Sequence, residues 1–166
     1  MNNQLTFDFD VDKQNKTITI KRKFDAPLPR VWEAYTKSEL LDQWWAPKPW
    51  KTKTKQMDFR DGGKWIYSMN GPEGEVHWSV SNFIKILPQK RFTGLDAFSD
   101  ENGNVNKEMP QSKWEVNFTP EGEETLVEIY ATYNDQKQLE ETLNMGFQDG
   151  MRIAMEGLDE LLQSSH

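Results

Sequence analysis

The chain has 166 residues, a net charge of −7 and a pI near 4.9, with 36% hydrophobic residues, 12% aromatic residues and no cysteine. The length suits one domain over residues 1–166, and an acidic chain with dispersed lysines is not a nucleic-acid binder, which needs a basic patch to offset phosphates. Without cysteine there is no disulfide scaffold, thiol nucleophile or zinc–thiolate centre; residues 1–10 lack the basic and apolar regions of a signal peptide and no run approaches the ~18 apolar residues of a membrane span, so a cytoplasmic location is expected.

The first predicted strand covers about Lys16 to Phe24, where β-branched Thr17, Ile18, Thr19 and Ile20 favour a pleated surface. Asp25-Ala26-Pro27 ends it, because the residue before a proline avoids the helical region. Pro29 suits an early helical position, and Val31, Trp32 and Tyr35 recur at helical spacing, which predicts a short helix over 28–36. Ser38 is placed as the cap of a second short helix, Glu39 to Trp44, stopped by Ala46-Pro47-Lys48-Pro49.

Six strands separated by turn signals follow, near 50–58, 63–70, 75–86, 90–98, 110–119 and 124–133, an antiparallel meander. Trp65, Tyr67 and Met69 share one face of their strand, as do Trp114, Val116 and Phe118. Lys51, Lys53 and Lys55 alternate on a strand and read as a solvated face. Asp135 caps the last element. Leu139, Leu143, Phe147, Met151, Ala154, Leu158 and Leu162 then recur at intervals of three and four, which predicts one long amphipathic helix over about 135–163 lying across the sheet. Gly146, Gly150 and Gly157 cluster at one edge of its apolar stripe; close packing on the sheet is the expected reason, with a ligand groove as the alternative.

Several stretches resemble a known family. Phe24-Asp25-Ala26-Pro27 with Val31-Trp32-Glu33-Ala34 looks like its entry from strand to helix, and Leu41-Asp42-Gln43-Trp44-Trp45-Ala46-Pro47 like its paired-tryptophan motif. Asp58-Phe59-Arg60-Asp61-Gly62-Gly63-Lys64-Trp65 looks like its Gly-Gly turn into a strand, and Met145-Gly146-Phe147-Gln148-Asp149-Gly150, with Leu158-Asp159-Glu160-Leu161-Leu162 beyond, like its final helix. The chain thus resembles the activator of heat-shock-protein-90 ATPase homologue-like family, within the START-like (SRPBCC, birch-pollen-allergen-like) superfamily, over nearly everything from about residue 15. The resemblance implies an α+β helix-grip fold: a curved antiparallel sheet around a long C-terminal helix, two short helices after the first strand, and a cavity between sheet and long helix. It does not imply one activity, since relatives bind lipids, hormones or polyketides and some catalyse reactions in the cavity.

No nucleophile–base pair stands out. His77 alternates with Val76, Trp78 and Val80 and reads as a surface or structural residue, and His166 is the last residue. Asp96, Asp100, Glu101, Asn102 and Asn104 lack the spacing of a calcium loop, and residues 100–106 read as a polar hairpin turn. Gly62-Gly63-Lys64 is a turn, not a phosphate loop, because a strand follows it. No catalytic residue, metal site or cofactor is therefore assigned. Asp96 shares strand phase with Phe92 and Phe98; on the cavity face its pKa would rise, which suits a general base or an anchor for a polar group, and the plainer reading is a solvent-facing residue.

The expected ligand cavity is lined by Trp44, Trp45, Trp65, Tyr67, Trp78, Asp96, Trp114, Phe147 and Met151, with Trp78 placed on less secure phase. The leading expectation is a domain that holds a hydrophobic or amphipathic small molecule. The alternatives are a protein-interaction module with a chaperone partner and a cavity enzyme using Asp96 or His77. The sequence leaves a homodimer open.

Overall fold

Alternation of buried and more exposed side chains runs along the strands over 17–24, 111–121 and 124–133, which gives the sheet one face to bury against the helices. The computed structural model describes residues 7–164. Its elements in chain order are β1 (Phe7–Asp12), β2 (Thr17–Phe24), α1 (Leu28–Thr36), α2 (Ser38–Trp44), β3 (Lys51–Met57), β4 (Lys64–Asn70), β5 (Val76–Leu87), β6 (Arg91–Ser99), β7 (Gln111–Glu121), β8 (Glu124–Tyr133), α3 (Gln136–Asn144) and α4 (Phe147–Ser164). The eight strands form one curved antiparallel sheet in the order β1-β2-β8-β7-β6-β5-β4-β3. The meander β3 to β8 is closed on one side by β2, which pairs with β8 from Thr17↔Thr132 to Phe24↔Thr125.

The core lies where β2, β7 and β8 meet the helices. Ile18, Ile20 and Phe24 of β2, Val116 and Phe118 of β7, and Val127, Ile129 and Ala131 of β8 are buried on one face. Met155, Leu158 and Leu162 of α4 belong to the same buried cluster. Burying a side chain of that size fully stabilises the fold by roughly 1.5–3 kcal/mol. The two short helices are fixed to this core through Trp44, whose indole Nε1–H donates to the Ala34 carbonyl at 2.9 Å. The Trp44 ring also meets Tyr35 edge-on at 4.8 Å between centroids.

Three details differ from the sequence reading. Strand β1 was not anticipated, although Phe7 and Phe9 alternate with Asp8 and Asp10; it pairs with β2 from Phe7↔Arg22 to Asp12↔Thr17. Ser38 is already helical, and Lys37 occupies the cap position of α2 without a side-chain capping bond. The predicted C-terminal helix is two helices. Gly146 adopts φ +83°, a left-handed conformation that ends α3 and restarts the chain in a new direction. Its N–H donates to the Leu143 carbonyl at 3.1 Å, and its own carbonyl accepts from Gly150 N–H at 2.9 Å in the first turn of α4. The even hydrophobic period hid the break, because the apolar stripe continues across it. At the other end of α3, Asp135 caps as expected, its side chain accepting from Gln138 N–H at 2.8 Å.

The glycine cluster also differs from the expectation of packing on the sheet. A Cβ on Gly146 or Gly157 would meet nothing within 4 Å, and one on Gly150 would touch only Pro47 Cγ at 3.7 Å. At Gly146 only backbone conformation opposes a side chain. Gly146→Ala is therefore expected to lower unfolding free energy by about 1–2 kcal/mol, the cost of left-handed backbone for an L residue. Urea denaturation measures it; an unchanged midpoint would show that the α3–α4 junction tolerates a different turn.

Candidate functional site

Beyond the solid core the same sheet turns polar. A single cross-strand row runs Trp65, Ser81, Asp96, Ser112, Tyr133 through β4, β5, β6, β7 and β8. The adjacent row contains Tyr67, Ser79 and Phe98. Serine is too short to reach the helices, so the middle of the sheet leaves space beneath α3 and α4. The result is a cavity of about 310 Å³, at the lower end of the usual range for ligand pockets. Its floor is the two polar rows, its roof is Met145, Gly146, Phe147, Gly150 and Met151 at the α3–α4 junction, and Trp45 and Pro47 after α2 form one wall. The left-handed turn at Gly146 thus places the helix break at the cavity roof. A second void of about 30 Å³ lies on the other side of Asp96, against Trp65, Phe83 and Phe92, large enough for a water molecule.

The indoles of the site have partners, as buried tryptophan requires. Trp45 Nε1–H donates to Tyr67 Oη at 3.1 Å and Trp114 Nε1–H to Ser112 Oγ at 2.8 Å. Trp65 Nε1–H donates to Thr54 Oγ1 at 3.0 Å, and its ring stacks on Tyr67 at 3.9 Å between centroids. Trp114 meets Phe147 edge-on at 6.1 Å, which ties the floor to the roof.

Asp96 dominates the electrostatics. Burial pushes its carboxyl up to about 7, and a hydrogen bond from Ser81 only partly opposes this. Asp96 is partly exposed and lines the cavity. Burial, and then the Asp96 charge, push the Tyr67 phenol upward. Tyr133 is raised as well, chiefly by burial, against hydrogen bonds from Thr142 and Ser112.

Of the residues singled out from sequence, Trp45, Tyr67, Asp96, Trp114, Phe147 and Met151 line the larger cavity. Trp65 lines the smaller void. Trp44 lines neither; it is 2% exposed and fills the core beneath α1. Trp78 also lies elsewhere. Its neighbour Ser79 faces the cavity, so alternation turns Trp78 to the opposite face, where the Lys55 ammonium sits 5.9 Å from its ring centroid.

His77 shares the phase of Ser79 but sits exposed beyond the cavity, stacked on Trp50 at 5.6 Å. It is not brought together with Asp96. His166 lies outside the described residues. Asp100 spends its carboxylate on its own turn, accepting from Asn102 N–H at 2.8 Å and Asn104 N–H at 2.9 Å. Among the described residues no group of three or more His, Cys, Asp or Glu could hold a metal ion, and no helix is long and apolar enough to cross a membrane.

Sequence reasoning missed Ser112, Tyr133, Phe98 and Thr142 as lining residues. Strand phase carried the signal for two of them: Ser112 is two residues from Trp114, and Phe98 two from Asp96. Nothing local marks Thr142, which reaches the cavity only because α3 stops at Gly146.

A curved antiparallel sheet gripping a C-terminal helix, with two short helices after β2 and a space between sheet and helix, is the architecture of START-like domains. Within that class, the chain belongs to the family described as Activator of Hsp90 ATPase homolog 1-like protein, whose model matches residues 25–163. It is similar over its length to protein Ms6760 from Mycobacterium smegmatis, at 31% identity, covering 98% of this chain and 99% of that one, with a TM-score of 0.88. A protein from Arthrobacter aurescens is 29% identical, with 95% and 91% covered and a TM-score of 0.89. One from Staphylococcus epidermidis shares the fold at 24% identity, with 94% of each chain covered and a TM-score of 0.82. No functionally curated protein matches the chain.

The Asp96 carboxyl has a consequence for stability. Its ordinary value is 3.8 and its folded value about 7. Between the two, the folded chain holds a proton that the unfolded chain has released, so rising pH favours unfolding; above 7 both states are ionised and the full cost remains. Asp96→Asn is expected to remove this dependence and to exceed the wild type in stability at pH 8 by up to about 4 kcal/mol, while matching it more closely near pH 4. Urea denaturation of both proteins at pH 5 and pH 8 measures the difference. Parallel pH profiles would mean that the carboxyl titrates normally.

Proposed function

We propose that the protein is a small-molecule binding domain, acting as one unit, that holds an apolar or amphipathic ligand between the sheet and the α3–α4 junction. The observation that supports this reading is the cavity itself: about 310 Å³, walled by Trp45, Met69, Phe98, Trp114, Phe147 and Met151, with most of its polar groups on the floor. Apolar walls supply affinity through area removed from water, and a few convergent polar groups fix orientation. A packed core would leave no such space, since protein interiors are filled at the density of organic crystals. The polar floor would take the head of an amphipathic ligand, and the aromatic walls its body.

The direct test uses N-phenyl-1-naphthylamine, a neutral probe that fluoresces in apolar surroundings. Saturable one-to-one binding and a rise in melting temperature are expected, with a stabilisation of about 2.7 kcal/mol at a hundredfold excess over Kd. Gly150→Leu should abolish both effects while leaving the protein folded. Gly150 is helical, a Cβ there meets only Pro47 at 3.7 Å, and the added side chain would enter the cavity. Absence of saturable binding to the wild type, or equal binding by the variant, argues against this site.

A further inference from the structure

The charge pattern of the cavity narrows the class of ligand; the inference rests on the binding role just proposed. Asp96 sits centrally in its floor, with Ser81 and Ser112 as cross-strand neighbours. Among the described residues, none that lines either void is Lys, Arg or His. Burial and Ser81 account for the state of the carboxyl, and no cation contributes. This is unusual, because a buried carboxylate is costly unless paired.

Two other charges of low exposure do have ionic partners. Arg22, 6% exposed, lies 3.9 Å from Asp159, and Lys23 lies 2.8 Å from Glu121. Asp96 has no such partner, and it lines a cavity where a ligand could supply the missing charge.

We infer that the cavity takes an organic ammonium ion, a compact amine with an aromatic or aliphatic body, whose nitrogen rests on Asp96. An ammonium carries three donors and no acceptor. The floor answers with the Asp96 carboxylate and the hydroxyl oxygens of Ser79, Ser112, Tyr67 and Tyr133. The indole donors of Trp45 and Trp114 are already committed to Tyr67 and Ser112, so they do not compete for the ligand as anion-binding groups. Rings at Trp45, Phe98, Trp114 and Phe147 add faces to which a cation is attracted. A carboxylate ligand, by contrast, would bring a second negative charge beside Asp96 with no cation to receive it. The site is built against fatty acids and other organic anions as much as for amines.

The pH dependence follows from the groups that face Asp96. Tyr67 on β4 and Tyr133 on β8 are its only other titratable neighbours along the cavity, and both are shifted upward. Strands β5 and β7 present serines, and α3 presents Thr142. Among the described residues lining the cavity, Asp96 is therefore the group that changes charge between pH 5 and pH 8.

Three indoles of nearly one shape separate the effects: tryptamine, tryptophol and indole-3-propionate, titrated calorimetrically at pH 8 and pH 5. Tryptamine is expected to bind wild type at least tenfold tighter than tryptophol at pH 8, with indole-3-propionate weakest. At pH 5, where Asp96 is protonated, the advantage should shrink severalfold. In Asp96→Asn the amine and the alcohol should bind alike at both pH values. Tryptophol matching tryptamine in the wild type at pH 8, the carboxylate binding as tightly, or no tryptamine binding where N-phenyl-1-naphthylamine binds would overturn the charge preference and leave the binding role standing. Failure of all three indoles and of the naphthylamine would overturn both. The wild-type series decides the matter even if the variant does not fold.

Discussion

The seam between α4 and strands β2, β7 and β8 is the constraint on which the remaining structure depends. Met155, Leu158 and Leu162 are buried in one cluster with Ile18, Ile20, Val127 and Ile129, all at or near zero exposure. That seam fixes the C-terminal half of the helix against one side of the sheet. The N-terminal half, from Phe147 to Met151, is held out over the other side, where the strands offer serines and an aspartate in place of branched aliphatics. One rigid helix thus serves as an anchor at one end and a roof at the other. The break at Gly146 lets α3 fold back beside it without disturbing the anchored part.

This division sets two physical demands against each other across a few ångströms. The seam gains from burying apolar area, and the polar groups within it have partners: the Arg22 guanidinium finds Asp159, and the Thr125 hydroxyl donates to the Ala26 carbonyl at 2.8 Å. The floor of the cavity places hydroxyls and a carboxyl in low dielectric, where each needs a partner. The indole N–H groups and cross-strand serines meet part of that need. The carboxyl is left with the least, and its elevated pKa records the shortfall. Proton uptake, water or a bound cation are the three ways such a group reaches a neutral surrounding.

Much of this was legible in the sequence, because strands and amphipathic helices announce themselves by period. Strands β2 to β8 fall within about two residues of their predicted bounds, and Trp114, Val116 and Phe118 face inward as their alternation requires. The phase of Asp96 with Phe92 and Phe98 allowed the inner face, but the plainer reading set it in solvent, and the cavity lining decides against that reading. What could not be read was anything that depends on two elements meeting. Trp44 and Trp45 are adjacent and chemically identical, yet one is core and the other cavity wall, a distinction made by how α2 docks and not by any local signal. Trp78 was misplaced because β5 inverts the usual rule there: apolar Val76, Trp78 and Val80 alternate with His77, Ser79 and Ser81, yet it is the serine face that meets the voids. The helix break was hidden for a related reason: glycine is tolerated in helices, and only the left-handed backbone at Gly146 shows that here it ends one.

The separation of seam from cavity bears on how such a domain changes over generations. Tyr67, Trp114, Tyr133 and Met151 belong both to the buried cluster and to the cavity lining, whereas Ser79, Asp96, Phe98 and Ser112 shape the cavity and are outside that cluster. A substitution at Met69, Ser79, Phe98 or Ser112 alters the size or polarity of the cavity without touching Leu158 or Ile129. Chains that share 24–31% of their residues with this one superpose on it with TM-scores of 0.82–0.89. An architecture of this kind can keep its frame while its contents drift, since function resides in the site and not in the fold. The floor row of small side chains acts as an interchangeable fitting: a few substitutions there would be enough to exchange one cargo for another.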